Sequence, residues 1–195
     1  TVPIWAAAAS MENSTVVLAS NASGGLHYGL ANAGGTATYA SICSNIGGTA
    51  TRPFDAASEP SSGNGLIAYF DASGTGAASM QSRRVVGASL SSAAGMGLTT
   101  GAVAWASLTP LSTSGNEVMA LAMDTNSDAF AARWTGSAWT GQTTLTTSLS
   151  SSTKMCVAGA LEQNSGRLMV VMGDSTSGRV GYRIYTPGVG WSAIA

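Results

Sequence analysis

The sequence predicts an all-β chain built from four repeats of about 50 residues. Three observations predict it. A short apolar run recurs at residues 16–19, 66–70, 118–123 and 168–172, with starts 50, 52 and 50 residues apart. Clusters of Gly, Ser, Thr and Asn punctuate the chain at the roughly 8–12-residue spacing of short strands joined by turns. No stretch holds a 3.6-residue apolar spacing over the ~10–12 residues that would mark a helix. The repeats fall at about 1–49, 50–100, 101–151 and 152–195, and together they form a single repeat domain.

Each repeat opens with a bulky residue, Trp5, Phe54, Trp105 and Cys156, spaced 49, 51 and 51 apart and followed by small residues. That column reads as an innermost strand at a crowded axis. Its last member, Cys156, is therefore expected as a buried free thiol rather than a bridge to Cys43. A polar turn follows, and each turn carries one of the four glutamates, Glu12, Glu59, Glu117 and Glu162. These read as a solvated rim. The second segment is the apolar run itself, continuous enough for a strand covered on both faces. Asn21, Asp71, Asp124 and Asp174 close the four runs and read as caps of the turns after them.

A third segment alternates as a half-covered strand does, with Leu26, Tyr28 and Leu30 in the first repeat. Phe130, Ala132 and Trp134 alternate in the third, and Val180, Tyr182 and Ile184 in the fourth, where Arg133 and Arg183 read as equivalent. Residues 78–84 of the second repeat are poorly patterned. Two repeats then share a tight turn between aromatics, Trp134-Thr-Gly-Ser-Ala-Trp139 and Tyr185-Thr-Pro-Gly-Val-Gly-Trp191, leading into a fourth strand.

A four-stranded unit of this length is the size of one propeller blade. The sequence resembles the β-propeller repeat proteins over nearly its whole length. The Trp-x-Gly-x-x-Trp turn from Trp134 to Trp139 is similar to a motif of extracellular propeller repeats and of some propeller lectins. The resemblance implies four blades, forming a small ring, part of a larger ring, or half of a ring completed by a second chain. The competing arrangement is an irregular β-sandwich.

Composition narrows function. The chain carries 8 Lys+Arg, 9 Asp+Glu and a net charge of −1, and is 9% charged against about 25% in an ordinary domain. No basic cluster offers a nucleic-acid surface. No apolar run approaches the ~20 residues of a membrane span. The lone His27 reads as a solvated strand residue, and no Gly-x-Ser-x-Gly elbow accompanies it, so no hydrolytic site is expected. No cofactor or metal motif is present.

The leading expectation is a non-enzymatic structural or adhesive protein of the cell exterior. Low charge and small-residue faces would let it assemble with copies of itself into a surface layer or filament. Strand edges at residues 1–9 and 191–195 would template that assembly. The alternative is a glycan-binding propeller, in which Trp134, Trp139, Tyr182, Tyr185 and Trp191 stack on sugar rings beside Arg133 and Arg183.

Overall fold

A strand whose side chains are apolar on both faces needs a cover on each, and stacking four sheets in a row supplies it. The computed structural model describes residues 5–32, 37–73, 79–98, 101–111, 115–176 and 178–195, and residues 1–4 of the expected first edge lie outside them. The first sheet holds β1 (Ala6–Ser10), β2 (Ser14–Ser20), β3 (Leu26–Asn32) and β4 (Ala37–Cys43). The second holds β5 (Phe54–Ser58), β6 (Gly65–Asp71), β7 (Ser79–Val86), β8 (Ser89–Leu90) and β9 (Ala94–Gly95), the last pairing β7. The third holds β10 (Val103–Pro110), β11 (Val118–Asp124), β12 (Ala129–Trp134) and β13 (Trp139–Thr146). The fourth holds β14 (Val157–Glu162), β15 (Arg167–Gly173), β16 (Val180–Thr186) and β17 (Gly190–Trp191). All pairings within the sheets are antiparallel, and strand order follows chain order. Four successive sheets in chain order are the propeller arrangement rather than a two-sheet sandwich.

The pleat decides which neighbour each side chain meets. Val16 and Leu18 of β2 pack against Phe54, Ile67 and Tyr69 of the second sheet. Leu66, Ala68 and Phe70 of β6 pack against Val118, Ala120 and Ala122 of the third. Met119, Leu121 and Met123 of β11 pack against Leu168, Val170 and Met172 of the fourth. The Asx residues that close these strands do cap their turns. Asn21 Oδ1 accepts from the Ser23 and Gly25 amides, Asp71 Oδ1 from Ser73, Asp124 Oδ1 from Asn126 and Asp128, and Asp174 Oδ1 from Thr176.

The bulky opening column fastens one sheet to the next. Trp5 Nε1 donates to the Thr49 carbonyl at 3.0 Å, ahead of β5, and Trp105 Nε1 to the Thr153 carbonyl at 2.9 Å, ahead of β14. The Trp5 and Trp105 rings meet edge to face at 5.3 Å. Asp55 of β5 accepts the Leu108 amide of β10 at 2.8 Å and pairs with Arg52 at 3.0 Å. Burial nevertheless holds the Asp55 carboxyl above the ordinary aspartate value. Cys156 departs from the expected role: it lies just ahead of β14, only half-buried, with its thiol donating to the Ser151 carbonyl. The buried thiol is Cys43, and burial pushes it up to about 11, so it stays protonated at neutral pH. Both cysteines are free.

Candidate functional site

Two register columns, read outward from the Asx caps, build the clefts between sheets. Val16, Leu66, Met119 and Met169 each stand five residues before a cap. Their cross-strand partners are Leu30, Arg84, Arg133 and Ile184. Directly paired residues share a face, so in the first three sheets this third-strand column points towards the following sheet, and in the fourth it lies on the uncovered face with Met169. The next residue along, Trp134 in β12 and Tyr185 in β16, points back towards the preceding sheet. Each cleft between the later sheets therefore takes an arginine from one sheet and aromatics from the next.

Between the second and third sheets lies a cleft of about 390 Å³, walled by Arg84, Ser82 and Met96 on one side and Trp134, Trp139 and Gln142 on the other. Beneath it Glu59 is fully buried. Its carboxylate accepts Trp134 Nε1 at 2.8 Å, Ser62 Oγ at 2.6 Å, Asn64 Nδ2 at 3.4 Å and the Arg84 guanidinium through Nη2. This corrects the solvated-rim reading of the glutamates, because donors from both sheets converge on Glu59. Trp139 Nε1 donates to Ser82 Oγ at 2.8 Å, so both indoles are fixed by the neighbouring sheet. The two rings sit 5.5 Å apart, tilted by 53°. The turn joining them closes on Gly136 at φ 95°, where a Cβ would come within 2.9 Å of Asn116 Cβ.

Arg84 keeps hydrogen-bonding capacity in hand. Its Nε is buried without a partner among the described residues, while about a third of the side chain is open (32%). Orphaned donors of this kind are uncommon in folded proteins and call for a reason.

The third and fourth sheets repeat the plan more openly. A cleft of about 480 Å³ is walled by Met119, Arg133 and Thr140 on one side and Tyr185 and Trp191 on the other. Arg133 pairs with Glu117 at 3.1 Å, and the two aromatic rings lie 5.3 Å apart at 56°. Here the glutamate is half-buried rather than enclosed. Glu12 and Glu162 are exposed, as the rim reading expects, and the Ser165 hydroxyl, followed by Arg167, holds Glu162 below the ordinary glutamate value.

Of the seven residues singled out in sequence, the fold gathers Trp134 and Trp139 in one cleft and Arg133, Tyr185 and Trp191 in the other. Tyr182 and Arg183 line neither. Tyr182 lies on the outward face of the fourth sheet, 37% exposed. Arg183 turns towards the third sheet, spends its donors on the Thr144, Leu145 and Ser192 carbonyls, and lies over Trp191 at 5.9 Å. It is not the equivalent of Arg133, whose place Ile184 takes. Arg84, Ser82 and Glu59 were missed. His27 is half-buried beside Asn21, its Nε2 3.1 Å from the amide nitrogen, rather than solvated. Among the described residues no group of three or more His, Cys, Asp or Glu could hold a metal, and no helix is long and apolar enough to cross a membrane.

No protein-family model matches the sequence, and no curated protein matches it. Solved structures do match its fold. The chain is similar to the BP39L lectin of Burkholderia pseudomallei, with a TM-score of 0.69, 14% identity and coverage of 96% of this chain and 53% of that one. It is similar to the Aleuria aurantia fungal lectin, a six-bladed β-propeller with a fucose recognition mode, at TM-score 0.62 and 17% identity, covering 97% and 60%. The SapL1 lectin, solved with α-methyl fucoside, matches at TM-score 0.56 and 13% identity, covering 96% and 62%. The chain thus spans between half and two-thirds of the length of the structures it matches. At these identities the likeness is one of fold, and the chain is a β-propeller repeat protein.

Proposed function

We propose that the protein is a glycan-binding propeller whose two arginine-bearing clefts, between the second and third and between the third and fourth sheets, hold fucose-type sugars. One observation carries the reading. Arg84 is held by a buried carboxylate with about a third of its side chain open, beside an indole pair that offers a flat apolar face. A sugar ring asks for that combination: charged donors for its hydroxyls and an aromatic wall for its C–H face. The fold likeness to proteins solved with fucosides supports the sugar class. Binding without turnover fits the lining, since the nearest carboxylate is already engaged by four donors. We place this activity at the cell exterior, on the low charge and the Ser- and Thr-rich composition.

Titration with α-methyl fucoside, followed by tryptophan fluorescence and by calorimetry, tests the reading. A saturable signal from Trp134 and Trp139 is expected. Absence of heat and of spectral change into the millimolar range overturns it.

Self-association is a second reading with its own observation. Met169 and Val171 are 44% and 38% exposed, whereas Met119 and Leu121, their equivalents one sheet earlier, are each 1% exposed beneath the next sheet. The first sheet presents Ala6, Ala8, Val17 and Ala19 on its own uncovered side. An end-to-end contact between copies would bury one face against the other. Sedimentation equilibrium is expected to show a mass above 19.4 kDa that rises with concentration. A constant monomer mass overturns this reading and leaves the glycan reading intact.

A further inference from the structure

The cleft between the first and second sheets departs from the other two. It has a volume of about 340 Å³, and its walls include Met11, Tyr28 and Leu30 of the first sheet and Asn64 and Gly87 of the second. Leu30 stands in the column that Arg84 and Arg133 fill elsewhere. Glu12 lines the mouth, its Cβ lying where Gly63 (φ 65°) leaves room, and among the described residues no Lys, Arg or His is part of the lining. In the other two clefts the glutamate is neutralised by its arginine. Here the carboxylate remains while the cation is replaced by an isobutyl group.

From this we propose that the cleft between the first and second sheets binds a cationic sugar, a 2-amino-2-deoxyhexose with a free ammonium, whose charge takes the place of the missing arginine. Tyr28, Leu30 and Met11 supply the apolar wall for the ring, and Glu12 pairs with the ammonium. A neutral sugar gains nothing from Glu12 that water does not already give, so the cleft discriminates by charge. Acetylation of the amine removes that charge and adds bulk, and it abolishes the preference.

This inference rests on the glycan reading of the clefts, and the test separates the two. Glucosamine and N-acetylglucosamine are titrated into the full chain by calorimetry, with α-methyl fucoside run in parallel. Glucosamine is expected to bind about fivefold more tightly than its acetylated form, the upper end for a solvent-exposed ion pair. Glu12→Gln, a surface change, is expected to remove that margin and to leave the fucoside isotherm unchanged. Leu30→Arg is expected to weaken glucosamine binding by a similar factor, since it places a cation beside Glu12. Glucosamine binding unaltered by E12Q overturns the proposal. So does fucoside binding with no glucosamine binding, an outcome that leaves the broader reading standing. If neither sugar binds, both fall.

Discussion

Replacing Arg84 with alanine is expected to weaken α-methyl fucoside binding at the cleft between the second and third sheets by about 100-fold, because charge-assisted hydrogen bonds contribute about 1.5–3 kcal/mol and each 1.4 kcal/mol is tenfold. The arginine offers donors at fixed angles beside the indole of Trp139, and about a third of its side chain is open. Arg84→Lys separates binding from folding. Lysine keeps a positive charge near Glu59 but has neither the planar fork nor the Nε donor. It is expected to retain most of the thermal stability while losing most of the affinity. Calorimetric stoichiometry isolates this cleft from the Arg133 cleft, since R84A removes one site and leaves the other. Affinity and stoichiometry both unchanged in R84A would show that sugar is held elsewhere.

Glu59→Ala is expected to destabilise the chain by about 3 kcal/mol, equivalent to a fall in Tm of roughly 6–12 °C for a chain of this size. The carboxylate is fully buried, and its removal strands donors on both sides of the cleft. Trp134 Nε1 loses its acceptor, and Ser62 and Asn64 lose theirs. Arg84 is left as a partly buried cation without compensation, which a third of open side chain only partly relieves. Glu59→Gln, which retains an acceptor for the indole, is expected to fall between. Glu162→Ala removes an exposed pair with Arg167 and is expected to leave Tm in place. Thermal melts by circular dichroism read all three. A Tm indifferent to E59A would mean that water replaces the carboxylate.

The fold was legible because its signals are local. The apolar second strand, the Asx cap after it and the aromatic turn from Trp134 to Trp139 each lie within a few residues of chain. The cleft was legible only on its aromatic side. Glu59 sits in a polar turn like the other three glutamates, and its burial is caused by Arg84 and Trp134, 25 and 75 residues away. Strand β7 looked irregular for the same reason. Its Ser82 and Arg84 face the third sheet, where a strand facing plain core would carry apolar residues. Arg183 misled through register. Matching Trp134 with Tyr185 puts Arg133 against Ile184, and a slip of one residue turns a side chain to the opposite face. A useful sign was present unread: Glu59 and Glu117 each have an arginine in the third strand of their own repeat, while Glu12 has Leu30 there.

Adjacent residues of β12 address different clefts. Arg133 belongs to the one shared with the fourth sheet and Trp134 to the one shared with the second. Neighbouring codons therefore alter the linings of separate clefts while the backbone that carries them stays the same. Duplicated repeats arranged in this way can diversify their clefts one at a time, through single substitutions that leave the scaffold unaltered.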